Sequence, residues 1–149
     1  IYVAFIPFNF AQPFHNRDVL MVYNLMLFAV MALLVGVTPV HATATGLSEQ
    51  QSRLVRYAIL AVAALALLVS LYALTAILYR TWGGGFTPNR LTVIGWNVVN
   101  MGVLVHLLVL QWQRGSAQWI SRLHTTFGHA MNAYAVWGLL LVLLLPWLF

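Results

Sequence analysis

One long apolar run, residues 91–113, carries Asn97, Asn100 and His106. His106 offers the sharpest chemistry of the three. A neutral imidazole can ligate the metal of a haem or chlorophyll, and Gly102, one turn earlier, would leave room for a flat macrocycle. The commoner alternative is a histidine hydrogen-bonded to a neighbouring helix or lying near a membrane surface, with Gln111 and Gln113 close by in sequence. His124 and His129 are five residues apart, which misses the i,i+3 or i,i+4 spacing of a helical metal pair. His15 and His41 stand at opposite ends of an earlier apolar run, and no HExxH or comparable histidine pair occurs. The only acids, Asp18 and Glu49, are capping or loop residues. That leaves no carboxylate pair for hydrolysis and no acid inside a span for a self-contained proton or cation pump. Gly83, Gly84 and Gly85 lack the Lys-Ser/Thr ending and the preceding strand of a phosphate loop, so they read as a turn. No set of residues stands out for catalysis.

The solvent is far more legible than the chemistry. The 149 residues are 62% hydrophobic and 6% charged, against about 25% charged residues in a typical soluble domain. This predicts an integral membrane protein, with room for four spans of about 20 residues each. All seven basic residues are arginines, and the formal charge is +5. They lie singly or in pairs at the ends of apolar runs, an arrangement suited to phospholipid headgroups and not to nucleic acid. The absence of cysteine excludes disulfides, iron–sulfur clusters and thiol catalysis.

The elements that must position His106 and the two asparagines follow from punctuation. Residues 1–11 are apolar but short, broken by Pro7 and Pro13, and read as the tail of an earlier helix or an interfacial segment. They lack the charged start and cleavage site of a signal peptide. Asn16 or Asp18 can cap a first span, about 19–38, which Pro39 stops. A small, polar loop, 41–47, leads to Ser48-Glu49-Gln50-Gln51, a capping box with Ser48 at the N-cap and Gln51 at N3. The helix it opens has no breaker before Gly83, so it is predicted to overrun its span, about 54–79, on the Arg53/Arg56 side. Along it Ala63, Ala66, Ser70 and Ala73 recur at three- and four-residue steps, a face suited to close helix contact.

Thr87 as N-cap and Pro88 at the first position open the third span, about 91–112. Gly95, Val99, Gly102, His106 and Gln113 fall on one stripe of it, and Trp96, Asn97 and Asn100 on roughly the opposite half. Small or polar groups on two faces predict a helix in the middle of a bundle, where Asn97 and Asn100 find partners on other helices. Gly115 stops this helix and Ser116 caps the next, so the third and fourth helices should form an antiparallel hairpin. The fourth span is about 130–149. Tyr79, Trp82 and Trp147 then mark one membrane face, and Tyr57, Trp112 and Trp119 the other. Arg17, Arg80 and Arg90 lie on the first side, and Arg53, Arg56, Arg114 and Arg122 on the second. Three against four does not orient the chain. Arg80 and Arg90 flank the glycine turn and, with the free N–H groups at the Thr87 helix start, could hold a lipid phosphate.

Arg80-Thr-Trp-Gly-Gly-Gly-Phe-Thr-Pro-Asn-Arg90, followed by Leu91-Thr-Val-Ile-Gly-Trp-Asn97, resembles uncharacterised multi-pass bacterial membrane proteins of the domain-of-unknown-function type. In these an apolar helix leads into a Gly-(Leu/Phe)-Thr-x-x-Arg turn and a further helix. The closing stretch from Ala135-Val-Trp137 to Pro146-Trp-Leu-Phe149 is similar as well. The resemblance covers the second to fourth helices and brings no settled activity or site residues. It implies a bacterial inner-membrane location and a chain that is the C-terminal part of a longer protein, in keeping with its start at Ile1.

The expectation is therefore an all-α membrane protein, an antiparallel bundle of four spanning helices with part of a further N-terminal segment. Its expected role is a non-catalytic accessory or scaffold subunit that packs against lipid and other membrane subunits. Two alternatives stand beside it. One is a haem- or chlorophyll-binding subunit of an electron-transfer or photosynthetic complex, with His106 as ligand. The other is a component of a transporter or channel completed by other segments.

Overall fold

A computed structural model describes residues 11–37, 48–112 and 119–148. The Pro39 stop, the 41–47 loop, the Gly115 stop and the Ser116 cap lie outside the described residues, as do residues 1–10, Gln113, Arg114 and Phe149. The described chain is helical: a short α1 (Gln12–His15), then α2 (Arg17–Val37), α3 (Glu49–Gly84), α4 (Pro88–Trp112) and α5 (Trp119–Leu148). The last four are each long and apolar enough to cross a membrane, and they pack against one another as an antiparallel bundle.

The helix starts follow the predicted chemistry. Ser48 accepts a bond from the Gln51 amide at 3.3 Å, and the Gln51 side chain accepts one from the Ser48 amide at 3.0 Å. Both directions of the capping box are present, so two otherwise orphaned donors are satisfied. Thr87 Oγ1 accepts from the Arg90 amide at 3.3 Å, and Pro88 opens α4. Gly85, which ends α3, has φ of 74°, a left-handed conformation that glycine adopts without steric cost.

With 36 residues, α3 is about 54 Å long at 1.5 Å per residue, against a hydrocarbon core of about 30 Å. Arg56 of α3 bonds the Gln111 carbonyl near the end of α4. Residues 49–55 therefore extend past α4 on the arginine side, where Arg53 pairs with Glu49 at 2.6 Å.

Small side chains let α3 sit close to its neighbours. Ala63, Ala66, Ser70, Ala73 and Ala76 are all buried and share the face that packs on α2 and α4. Two apolar clusters result. One joins Leu27, Met31 and Leu34 of α2, Ile59, Ala63 and Ala66 of α3, Leu104 and Leu107 of α4, and Leu123 of α5. The other, nearer the glycine turn, joins Leu20 to Ala73, Ala76 and Ile77.

Gly95 of α4 is where α5 comes closest. A methyl group built on it would lie 1.8 Å from Cζ2 of Trp137, so the indole lies directly against the glycine backbone. Trp119 departs from its expected place in a surface belt. It is buried, and its indole N–H donates to Ser52 Oγ at 3.0 Å, tying α5 to α3. Trp82, Trp112 and Trp147 are 95%, 90% and 89% exposed, as interfacial anchors should be.

Gly95→Ala should lower unfolding stability in detergent by about 1–3 kcal/mol, the usual cost of forcing atoms into a packed interface. Gly36→Ala, where an added methyl meets nothing within 4 Å, should be neutral or mildly stabilising. Equal effects from the two substitutions would show that the Gly95–Trp137 contact does not hold α5 in place.

Candidate functional site

Four polar features remain once the apolar clusters are drawn: a buried layer, a cationic cleft above it, a histidine groove on the outside and a hydrogen-bonded end opposite the cleft. The layer is centred on Asn97. Its amide nitrogen donates to Asn24 Oδ1 of α2 at 2.7 Å and to the Val93 carbonyl at 2.9 Å, while its amide oxygen accepts a long bond, 3.4 Å, from Ser70 Oγ of α3. Asn24 in turn donates to the Leu20 carbonyl at 2.9 Å. One turn on, the Tyr134 hydroxyl of α5 bonds Asn100 Oδ1. Asn97 and Asn100 are each 1% exposed, so the two α4 amides find partners on all three neighbouring helices.

Above this layer, toward the glycine turn, a cleft of about 310 Å³ opens between α2, the end of α3 and the start of α4. Arg80, Thr87 and Arg90 line it, as does Arg17 from the start of α2. Arg90 is braced by a 2.6 Å bond to the Gly85 carbonyl. Asn24 and Asn89 also line the cleft, so the buried layer forms part of its wall. The sequence puts Arg17 on the same side as Arg80 and Arg90 without joining it to their site and does not single out Asn24; both lie more than fifty residues away and are brought in by the packing of α2 on α3.

His106 lies in a groove between α4 and α5, lined by Val99, Gly102, Thr126, His129 and Ala133 among others. Gly102 is exposed there, with nothing within 4 Å of an added methyl. It leaves open space beside His106 and does not serve the close helix packing expected of it. His129 is wrongly spaced from His124 for a helical metal pair. Its ring instead faces His106 across the helices, with centroids 5.8 Å apart and planes at 63°. Thr126, a further residue missed in sequence, adds an oddity. Thr75, Thr81, Thr92 and Thr125 each donate to the carbonyl four residues back, whereas the buried Thr126 Oγ1 has no partner among the described residues. No group of three or more histidine, cysteine or acidic side chains assembles among the described residues.

At the opposite end, the arginines close the bundle. Arg56 donates to the Gln111 carbonyl at 2.6 Å and Arg122 to the Leu110 carbonyl at 3.1 Å. Both carbonyls belong to the last described turn of α4, toward the negative end of its dipole. The Gln111 side chain donates to the Trp119 carbonyl at 2.9 Å, tying the end of α4 to the start of α5.

Together the fold and its polar features define an all-α multi-pass membrane protein with a hydrogen-bonded layer across its bundle. Comparison with protein-family models, with curated proteins and with solved structures finds no match to the chain.

Asn97→Ala should destabilise the bundle by about 1–2 kcal/mol, near the upper end for interhelical hydrogen bonds in membranes, because it strands both Asn24 and Ser70. Equilibrium unfolding of Asn24→Ala, Asn97→Ala and the double variant should give a coupling energy clearly above zero. Strict additivity would remove the layer as a source of stability.

Proposed function

We propose that the protein is a non-catalytic, multi-pass subunit of a bacterial inner membrane that packs against other membrane subunits. The observation that carries this reading is Asn132. It is exposed on α5, two residues before Tyr134, whose hydroxyl bonds Asn100. Asn100 is the middle residue of the 25-residue α4. At about 1.5 Å per residue, Asn132 lies about 3 Å from mid-span on an outward surface. Lipid tails offer an amide no hydrogen-bond partner, whereas another helix does.

The surroundings of Asn132 favour the same reading. Thr125 and Gly128 are exposed on the same side of α5, and small or hydroxylated residues at such steps allow close helix approach. Only 6% of the most apolar stretch of α5 is buried, against 28–33% in the other three spans, so this helix has the most surface to offer. The resemblance to uncharacterised bacterial membrane proteins supports the location.

Asn132→Leu should leave the fold and its unfolding stability unchanged, because the side chain is exposed and makes no hydrogen bond among the described residues. The same substitution should move the protein from a larger assembly to a smaller one on native gels of mildly solubilised membranes. Recovery of the wild-type chain alone and monomeric from its native membrane, or an unaltered assembly in the variant, would overturn the proposal.

The histidine groove favours a second reading, a subunit that binds a haem or chlorophyll. His106 would supply the axial nitrogen, the opening at Gly102 would admit the ring edge, and the unpartnered Thr126 hydroxyl could donate to a polar substituent. This reading predicts a Soret or Q band in the complex purified from native membranes, lost or shifted in His106→Ala. A complex without such bands, or with bands indifferent to the substitution, would sink it.

A further inference from the structure

We propose that the cleft lined by Arg17, Arg80 and Arg90 is a binding site for the phosphate of an anionic lipid headgroup. Three cationic side chains from three helices converge on one space of about 310 Å³, roughly ten water molecules at about 30 Å³ each. None of the three has a carboxylate within ion-pair distance among the described residues, where the Arg53–Glu49 pair is the only salt bridge. Asp18, the nearest acid in sequence, is exposed and does not line the cleft. Like charges held together without a counter-ion repel one another, and an anion between them relieves that repulsion. The guanidinium groups also match phosphate oxygens with paired N–H donors.

Further donors are at hand. Thr87 Oγ1 uses a lone pair to accept the Arg90 amide, which leaves its O–H free to donate. The Asn89 side chain lines the same space. The cleft also adjoins the first turns of α2 and α4, whose positive dipole ends favour negative charge.

The rest of the lining selects a lipid over a free ion. Leu20, Met21, Ile77 and Val93 form an apolar wall beside the arginines. Arg80 and Arg90 flank the turn between two spans, at the level of a headgroup layer. A phosphate with an ester arm meets both halves of this lining, whereas inorganic phosphate uses only the cationic half. Exposed Trp82, Tyr79 and Phe86 surround the same turn and would hold it at the membrane interface. This assignment does not depend on the partner-subunit reading, because the site is complete within one chain.

Native mass spectrometry of the full chain, delipidated and then titrated with phosphatidylglycerol or phosphatidylcholine, tests the site directly. Phosphatidylglycerol should be retained at least tenfold more strongly than phosphatidylcholine and should raise the melting temperature. Inorganic phosphate at the same concentration should do neither. Arg17→Gln with Arg80→Gln should abolish the preference without lowering the melting temperature measured with phosphatidylcholine, since neither side chain makes a hydrogen bond or ion pair among the described residues and their mutual repulsion is removed. Arg53→Gln, which removes a positive charge at the opposite end, should retain the preference. A preference that survives Arg17→Gln/Arg80→Gln, or falls equally in Arg53→Gln, would overturn the site. Equal protection by inorganic phosphate would overturn the lipid assignment and give the cleft to a free anion.

Discussion

The amide of Asn97, 1% exposed, has to be satisfied by the bundle itself, and much of the architecture follows from that requirement. An unpaired amide in an apolar interior costs several kcal/mol on scales that offer no alternative partner. Asn24 and Ser70 meet the demand at 2.7 and 3.4 Å. To reach Asn97, α2 has to cross α4 at Asn24, and α3 has to present Ser70 on its small-residue face. The layer therefore sets the register of three helices that apolar packing alone would fix only loosely. The apolar clusters lie on either side of it, so sliding any one of these helices would separate polar partners and bury them against hydrocarbon.

The fourth helix is held differently. α5 reaches the bundle through the Tyr134–Asn100 bond, the Trp137 ring on Gly95 and the Trp119–Ser52 bond. These contacts involve one side of the helix, and residues 131–148 leave most of their surface outward. Such a division of labour fits a membrane protein with a rigid inner trio and an outer helix available to something else. It also explains why Gly95 and Gly102, on one stripe of α4, have different fates. Gly95 meets an indole, whereas Gly102 opens onto a groove.

How much of this was legible in sequence differs by the range of the interaction. The capping box at Ser48, the Thr87-Pro88 start and the small-residue face of α3 are local patterns, and the residues that make them are close in the chain. The central position of α4 could be read because two faces of one helix carried groups unsuited to lipid. Partners of those groups were not readable. Nothing local ties Asn24 to Asn97, His129 to His106, or Arg17 to Arg80, since each pair depends on how two helices cross and at what height. Trp119 misled for a related reason. A tryptophan near a span end is the pattern of an interfacial anchor, and only the neighbouring Ser52 of another helix turns it inward.

Charge shows the same limit most clearly. Counted along the sequence, the arginines divide three against four between the two ends and carry no direction. Their partners separate the ends. Among the described residues, Arg53 is paired with Glu49, and Arg56 and Arg122 are bonded to carbonyls in the last described turn of α4, so the charge of these three is offset by the helix dipole and a local acid. At the other end Arg17, Arg80 and Arg90 face a common cleft without a carboxylate among them. Among the described residues three arginines at each end thus generate unequal fields, because guanidinium groups bonded to an acid or to carbonyls near a helix end project less potential outward than Arg17 and Arg80, which face the cleft. For a chain this poor in charge, the accessible cation and not the counted one decides which end attracts anions.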